Sequence, residues 1–262
     1  MTRFEGKTVV VTGGARGMGA AHSRGFVAEG ARVVIADVLD AEGEELAGEL
    51  GEAALYRHLD VTDEQQWAEV VRAATAAFSA PTVLVNNAGI GGSGTLVEDK
   101  TLADWRKLLA VNLDGVFLGT RAVIPGMKAA GGGAIVNISS FAGLIGTPNA
   151  ADYTTSKFAV RGFTKAVAME VAPYGIRVNS VHPGYIRTPI LGPLGDEVVH
   201  GKVALDRMAG PEEVTRMVLF VASDDASYST GAEFVIDGGW SAGSTVGIGQ
   251  TNAQYYQQNS ES

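Results

Sequence analysis

The sequence predicts an α/β protein, a single doubly wound parallel sheet of about seven strands with helices on both faces. Three observations predict it. Short runs rich in β-branched residues alternate with longer amphipathic stretches, as in repeated β-then-α units. Most of these runs are continuously apolar, as expected for parallel strands covered on both faces. Glycine accounts for 35 of 262 residues, about 13% against a usual ~7%, and recurs after the apolar runs, where tight turns are needed.

The strand pattern occurs in seven stretches, and helical patterns lie between them. The predicted strands are residues 8–12, 32–37, 54–60, 82–86, 134–139, 177–182 and 233–237. The clearest helix covers residues 63–78, where Thr62 or Asp63 can cap the start and Trp67 and Ala74 fall on one face. Right-handed crossovers between such units build an open sheet.

Two further stretches have helical periodicity, and the remaining sequence suggests how the chain is divided. Residues 212–222 follow Pro211, a residue favoured at a helix start, and residues 102–128 are interrupted around 112–115. We find no internal repeat, composition break or linker and predict one domain over residues 1–240, with a substrate lid at 185–210. The tail, residues 241–262, is expected to fray or to pack on a neighbouring subunit.

Charge and composition argue against several classes of protein. Lys and Arg number 20 against 29 Asp and Glu, a net charge of −9, which disfavours nucleic acid and anionic membranes as partners. Without cysteine there is no disulfide, thiol nucleophile or cysteine-based zinc site. The four histidines lack ligand spacing, so no metal is expected. No signal segment or uninterrupted membrane span is visible, and we expect a cytoplasmic protein.

The first strand leads into a glycine-rich turn that opens a helix. The turn reads Thr-Gly-Gly-Ala-Arg-Gly-Met-Gly over residues 12–19. Gly13 permits a sharp turn, Gly17 lets the backbone approach a pyrophosphate, and Gly19 lets the helix pack closely on the strand. The helix N-terminus then offers free N–H groups to the phosphates. The position between strand and helix favours a Rossmann-like dinucleotide site over a purely conformational turn.

Polar residues end the next strands at the same edge of the sheet. Asp37 stands about twenty residues after the glycines, where a carboxylate accepts the adenosine ribose hydroxyls and repels a 2′-phosphate. Val38 offers such a phosphate no cation, although Arg16 could reach it, so NAD is expected and NADP is the alternative. Asp60 is placed to meet the adenine amino group, unless it only starts a turn. Asn86-Asn87-Ala88-Gly89 combines small residues that admit a cofactor with amides that can tie loops together.

A second group of residues follows the fifth strand. Ser140 ends that strand, and Tyr153 and Lys157 come later at i and i+4 of a predicted helix, hence on one face. A lysine charge and an oxidised nicotinamide favour the phenolate of a tyrosine whose pKa is ordinarily near 10. Tyr153 can then exchange a proton near neutrality while Ser140 donates to a substrate oxygen. The alternative, a surface helix with a solvated lysine, is disfavoured by the position after strand five.

Together these motifs resemble the short-chain dehydrogenase/reductase family in its classical form, over residues 6–239. The resemblance implies that Asn112 holds a water in a proton relay through Lys157 and the ribose. It also implies that Lys157 holds the nicotinamide ribose, that Pro183-Gly184 shapes the nicotinamide pocket, and that Ile186 and Thr188 contact the carboxamide. The candidate catalytic residues are Asn112, Ser140, Tyr153 and Lys157. The candidate cofactor-binding residues are Gly13, Arg16, Gly17, Met18, Gly19, Asp37, Val38, Asp60, Val61, Asn87, Ala88, Gly89, Tyr153, Lys157, Pro183, Gly184, Ile186 and Thr188.

The expected function is the NAD(H)-dependent interconversion of a small-molecule secondary alcohol and a ketone. Several stretches, among them residues 178–184 and 228–233, resemble the bacterial 3α,20β-hydroxysteroid dehydrogenases of this family and imply a hydroxysteroid or other bulky carbonyl substrate. Within the family the alternative is an NADPH-dependent 3-oxoacyl-carrier-protein reductase, whose acidic partner would have to dock on an acidic chain. A non-catalytic nucleotide sensor is the alternative outside enzymes, but it has no need of the four catalytic residues. The resemblance also implies a homotetramer.

Overall fold

The architecture follows from a computed structural model, which describes residues 2–192 and 194–243. Within these residues seven parallel strands form one sheet in the order β3-β2-β1-β4-β5-β6-β7. The strands are β1 Thr8–Thr12, β2 Arg32–Asp37, β3 Ala54–His58, β4 Val83–Asn86, β5 Gly133–Ile138, β6 Ile176–Pro183 and β7 Glu233–Ile236. The predicted sheet is confirmed. Its strand order reverses between β1 and β4, which opens a crevice at their carboxyl ends.

Seven α-helices in the described part of the chain cover the two faces of the sheet. They are α1 Gly17–Ala28, α2 Asp40–Leu50, α3 Glu64–Ala77, α4 Leu102–Leu109, α5 Gly115–Ala129, α6 Ala151–Val171 and α7 Pro211–Ala222. The predicted cap of α3 is Asp63, whose side chain accepts from the backbone N–H groups of Gln65 and Gln66. The predicted interruption between α4 and α5 is a π-helical turn, Ala110–Asp114.

The third strand is shorter than predicted. We expected it to reach residue 60, whereas β3 ends at His58. The reason is local, because the Asp60 carboxylate accepts hydrogen bonds from the backbone N–H of Thr62 at 2.9 Å and from its hydroxyl at 2.8 Å, which turns the chain. The first two strands have their predicted bounds, and the other four differ from prediction by one residue at one or both ends.

Both faces of the sheet are buried, in two apolar clusters. Val9 and Val11 belong to one cluster and Val10 to the other, because successive side chains of a strand point to opposite faces. The first cluster includes Phe26 of α1 and the second Trp67 of α3. The continuous apolar strands predicted from the sequence are therefore explained by burial on both sides.

One helical run has the length and composition of a membrane span. Leu102–Ala129 is long and apolar enough to cross a membrane, but the core helices of globular proteins can have the same length and composition. Here the buried side of α5, which includes Val116, Val123 and Met127, packs against α3, β4 and β5. The apolar character of this run is thus accounted for, in large part, by its place beside the sheet.

The predicted lid, described here over residues 185–192 and 194–210, forms short turns rather than a long helix or strand. Val199, Val203 and Met208 make a small apolar cluster of their own, against which Tyr185 and Trp240 pack. At the other end of the segment, Thr188 and Pro189 approach the glycine-rich turn: a Cβ at Gly17 would lie 3.5 Å from the Thr188 Cβ and 3.4 Å from the Pro189 Cδ. This segment therefore packs against the start of α1 at one end and against Trp240, near the end of the described chain, at the other. Most of the predicted tail lies outside the described residues, beyond Gly243.

Candidate active site

A cleft of about 480 Å³ opens at the carboxyl ends of β1 and β4, where the strand order reverses. Residues from six chain segments line it, and thirteen of them are predicted cofactor-binding residues. These are Gly13, Arg16, Gly17, Met18, Gly19, Asp37, Val38, Asp60, Val61, Asn87, Ala88, Gly89 and Thr188. The structure therefore brings most of the predicted dinucleotide site together.

The glycines of the turn are required by close backbone approaches. Gly13 has a φ of +58°, and a Cβ there would lie 2.9 Å from the Cα of Ala88. A Cβ at Gly19 would lie 1.9 Å from the carbonyl oxygen of Gly13, a distance that no side chain tolerates. These glycines keep the floor of the cleft open and hold α1 against β1.

Polar groups at the same place suit a phosphate-bearing ligand. Arg16, at the N-cap of α1, gives the helix no side-chain cap in the described structure, so the first N–H groups of the helix are available to an anion. The Asn87 side-chain amide donates to the carbonyl oxygens of Thr12 at 2.9 Å and Gly13 at 3.1 Å, which confirms that it ties the two loops together. Its buried Oδ1 finds no partner among the described residues and so is free to accept a hydrogen bond from a ligand.

Asp37 is fixed by the turn that it faces. One carboxylate oxygen accepts from the N–H of Ala15 at 2.9 Å and the other from the N–H of Leu39 at 3.2 Å. The side chain is nevertheless in the cleft lining beside Val38, as a ribose-binding carboxylate requires. These observations show that the residues present fit an adenine dinucleotide.

The cleft ends at the predicted catalytic residues. A Cβ at Gly89 would lie 3.2 Å from the Oδ1 of Asn112 and 3.6 Å from the Nζ of Lys157. Lys157 is buried, and its ammonium donates to the carbonyl oxygen of Ile138 at 3.0 Å. Burial lowers the pKa of Lys157 to about 8. Gly89 in the wall of the cleft thus lies next to Lys157, a predicted catalytic residue.

Tyr153 and Ser140 form a hydrogen-bonded pair next to this lysine. Burial raises the pKa of the Tyr153 phenol, and the hydrogen bond with Ser140 partly opposes that rise. The Lys157 Nζ lies 5.5 Å from the centre of the Tyr153 ring. We expected the lysine to favour the phenolate, but in the protein alone burial is the larger effect on the pKa. A phenolate here therefore needs more positive charge than Lys157 provides.

Asn112 lies in the π-helical turn and is completely buried. Its Oδ1 accepts from the N–H of Ile90 at 2.8 Å, and its Nδ2 donates to the Ile90 carbonyl oxygen at 3.0 Å and to the Ser156 hydroxyl at 3.3 Å. Such π-turns occur frequently at functional sites. The side chain joins the loop after β4 to helix α6, while the water relay implied by the resemblance stays a prediction.

Five of the predicted cofactor residues lie outside the cleft lining: Tyr153, Lys157, Pro183, Gly184 and Ile186. Pro183 ends β6, and Gly184 permits close packing, since a Cβ there would lie 2.7 Å from the Cα of Asp237. Ile186 is 4% exposed, belongs to the core and forms a β-bridge with Ala209. The lining that the structure describes does not include these residues. The cofactor contacts that the resemblance implies for Pro183, Gly184 and Ile186 stay a prediction.

Sequence reasoning also missed several neighbours of the site. Ile90 and Val111 line the cleft; Ile90 continues the loop after β4, a position that could have indicated it. His182 supports Ser140, because its Nδ1 lies 3.1 Å from the Ser140 carbonyl oxygen. That contact joins β6 to the end of β5 and has no signature in the sequence. Over residues 2–192 and 194–243, no group of three or more His, Asp or Glu side chains is arranged to hold a metal ion.

The sheet, the glycine-lined cleft and the Ser-Tyr-Lys group at its inner end define a dinucleotide-binding protein built for redox chemistry. A family model described as "Enoyl-(Acyl carrier protein) reductase" matches residues 13–241. The chain belongs to the short-chain dehydrogenase/reductase family.

Curated relatives cover nearly the whole chain. A 3-alpha-(or 20-beta)-hydroxysteroid dehydrogenase of Mycobacterium tuberculosis is 55% identical over 92% of this chain and 92% of its own length. A trans-4-hydroxycyclohexanecarboxylate dehydrogenase of Sinomonas cyclohexanicum is 46% identical over 93% and 96%. An NADP-dependent (R)-specific alcohol dehydrogenase of Lentilactobacillus kefiri is 43% identical over 92% and 98%. These similarities support an oxidoreductase that uses a nicotinamide dinucleotide and interconverts a secondary alcohol and a ketone.

Proposed function

We propose that the protein is an NAD(H)-dependent dehydrogenase of secondary alcohols, acting on a hydroxysteroid or another bulky carbonyl compound with Tyr153 as the acid/base. The observation that carries the proposal is the position of Gly89, which lines the cofactor cleft and leaves room for a ligand beside the Lys157 Nζ. The reacting carbon of a substrate can therefore meet both the cofactor and the Tyr153–Ser140 pair.

The chain's own residues handle the proton and the oxygen charge. Gly13, Gly17 and Asp37 would hold a nicotinamide cofactor in the cleft, and that cofactor would supply the hydride chemistry. In the direction of reduction the Tyr153 hydroxyl gives its proton to the ketone oxygen, and in oxidation the phenolate takes the alcohol proton. Ser140 donates a hydrogen bond to the same oxygen. The Lys157 ammonium favours the phenolate electrostatically and so opposes the effect of burial.

The preference for NAD rests on Asp37. Its carboxylate is held in the cleft by Ala15 and Leu39, where it accepts ribose hydroxyls and repels a 2′-phosphate. We predict that Asp37→Ala weakens NADH binding and reduces the ratio of NADPH to NADH dissociation constants at least tenfold, which corresponds to about 1.4 kcal/mol. Fluorescence titration with both cofactors measures the ratio. Asp40→Asn is the matched control, because Asp40 pairs with His58 outside the cleft; an unchanged ratio in Asp37→Ala would contradict the assignment.

A bulky, ring-shaped substrate is supported by an aromatic cluster next to the catalytic serine. Phe141, which follows Ser140, stacks on Tyr185 at 5.4 Å between ring centres, and Trp240 packs against both rings at 5.2–5.3 Å. Aromatic faces favour flat or alicyclic apolar ligands. The mycobacterial relative is named for a hydroxysteroid and the Sinomonas relative for a cyclohexane derivative, and both agree with such a substrate.

A screen of carbonyl substrates with both cofactors tests the proposal. We expect NADH oxidation with steroid ketones or other cyclic ketones, and lower activity with NADPH. Activity with 3-oxoacyl thioesters and NADPH would instead support the carrier-protein reductase. Tight cofactor binding without turnover on steroid ketones, aryl ketones and diketones would support the nucleotide sensor.

We also propose that the protein is a cytoplasmic homotetramer with no nucleic-acid or membrane partner. The net charge of −9 supports the second part. Support for assembly comes from large apolar side chains on the outer sides of α5 and α6, since Phe117, Phe158 and Met169 are 44%, 39% and 77% exposed. Light scattering on the purified protein measures the mass, and a monomer of 27.1 kDa would contradict the proposal.

A further inference from the structure

A buried ion pair lies next to the catalytic tyrosine and has no role in the proposed chemistry. The Lys100 Nζ lies 3.0 Å from the Oδ1 of Asp152, and the two side chains are 4% and 2% exposed. Asp152 directly precedes Tyr153 in the first turn of α6 and accepts from the Tyr153 N–H at 2.9 Å. Moving two charges out of water costs desolvation free energy. We therefore ask what this ion pair does at its position beside Tyr153.

The pair holds one particular segment of chain, residues 91–95. The Lys100 Nζ donates to the Ser93 hydroxyl at 2.9 Å, and that hydroxyl lies 2.7 Å from the Thr95 hydroxyl. Gly92 packs on the carboxylate so closely that a Cβ there would lie 2.7 Å from the Asp152 Oδ1. The backbone of this segment is exposed and irregular, so these contacts are what fix its position.

Residues 91–95 stand at the mouth of the cleft. Gly91 lines the cleft, and a Cβ at that position would come within 4.0 Å of the Ile190 side chain across it. On the inner side Asn112 clamps Ile90 through its backbone N–H and carbonyl oxygen. The loop is therefore held at Ile90 by Asn112 and at Gly92 and Ser93 by the ion pair.

We propose that Lys100 and Asp152 are positioning residues that lock residues 91–95 onto the start of α6 and thereby fix the wall of the substrate site facing Tyr153. This inference rests on the proposed function, because the wall matters only to a protein that turns over a carbonyl substrate. The pair acts on substrate binding and not on cofactor binding, since neither side chain is in the cofactor cleft lining that the structure describes.

Removing one charge leaves the other buried and unpaired, whereas removing both does not. Lys100→Met and Asp152→Asn should each raise the KM for the ketone at least tenfold and leave kcat within threefold. The double variant Lys100→Met/Asp152→Asn should show a smaller rise in KM than the product of the two single effects. Dissociation constants for NADH should stay within twofold in all three variants and show that each is folded.

The matched control is the exposed pair Arg24–Glu49, whose side chains are 50% and 51% exposed; Arg24→Met should leave both kinetic constants unchanged. The proposal is overturned if the single variants bind NADH normally and keep the wild-type KM, or if KM and kcat change in equal proportion. It is also overturned if the single effects multiply in the double variant. A wild-type protein that reduces no ketone would instead contradict the proposed function, so the two failures are distinct.

Discussion

The buried Lys157 side chain lowers the free energy of unfolding while it serves the proposed chemistry. Replacing it with methionine measures how large this destabilisation is. Burial lowers its pKa from 10.5 to about 8. Since one pKa unit corresponds to ~1.4 kcal/mol, the charged lysine lowers the free energy of unfolding by about 3 kcal/mol at pH 7. Lys157→Met removes this term and loses the hydrogen bond to the Ile138 carbonyl, which costs about 1 kcal/mol. The net gain is about 2 kcal/mol, or about 6 °C in Tm for a chain of this size.

The pH dependence of that gain identifies its cause. Between pH 8 and 10.5 the unfolded lysine keeps its proton while the folded one loses it, so the wild type gains stability as the pH rises through this window. The advantage of Lys157→Met should therefore shrink from about 2 kcal/mol at pH 7 to near zero at pH 10. Denaturant unfolding of both proteins at the two pH values measures it. A variant less stable than wild type at pH 7, or an advantage independent of pH, would refute the reasoning. Turnover should fall at least a hundredfold.

Two further predictions concern the scaffold. His22 is fully buried, and burial lowers its pKa to about 3. Between pH 6.5 and pH 3 the imidazole is therefore protonated in the unfolded state but not in the folded state. The free energy of unfolding falls as the pH falls through this range. Between pH 7 and pH 5 the wild type should lose about 2 kcal/mol more unfolding free energy than His22→Leu, and equal losses in chemical denaturation would contradict this. Asp63 caps α3 by accepting from the N–H groups of Gln65 and Gln66, so Asp63→Ala should cost about 1 kcal/mol. Unchanged denaturation midpoints would show that the cap does not matter.

The parts of the fold that local chemistry decides were predictable from the sequence. β1 and β2 have their predicted ends because each is an apolar run closed by a polar residue at a turn. The glycine turn was predictable because only glycine permits the approach of Gly13 to Ala88 and of Gly19 to Gly13. The end of β3 was wrong because a side chain, Asp60, competes with the strand for backbone N–H groups.

The parts that depend on tertiary packing were not predictable. The packing of Gly184 on Asp237 and of Ile186 in the core has no signature in the sequence, and the cofactor contacts that the resemblance implies for these two residues stay a prediction. The pKa of Tyr153 is raised by burial, and the burial of a side chain cannot be read from the spacing of residues in the sequence. Lys100 and Asp152 meet across 52 positions of sequence, since 152 − 100 = 52, and neither carries a motif.

The most direct test of the account is Tyr153→Phe, measured for both cofactor binding and turnover. The variant keeps the ring and loses only the hydroxyl that exchanges the proton. We predict an NADH dissociation constant within threefold of wild type and a fall in kcat/KM of at least a thousandfold, about 4 kcal/mol of transition-state stabilisation. Tyr174→Phe, on a half-exposed tyrosine outside the site, should leave both unchanged. A Tyr153→Phe variant that keeps more than a tenth of wild-type kcat/KM would contradict the proton-transfer role of Tyr153.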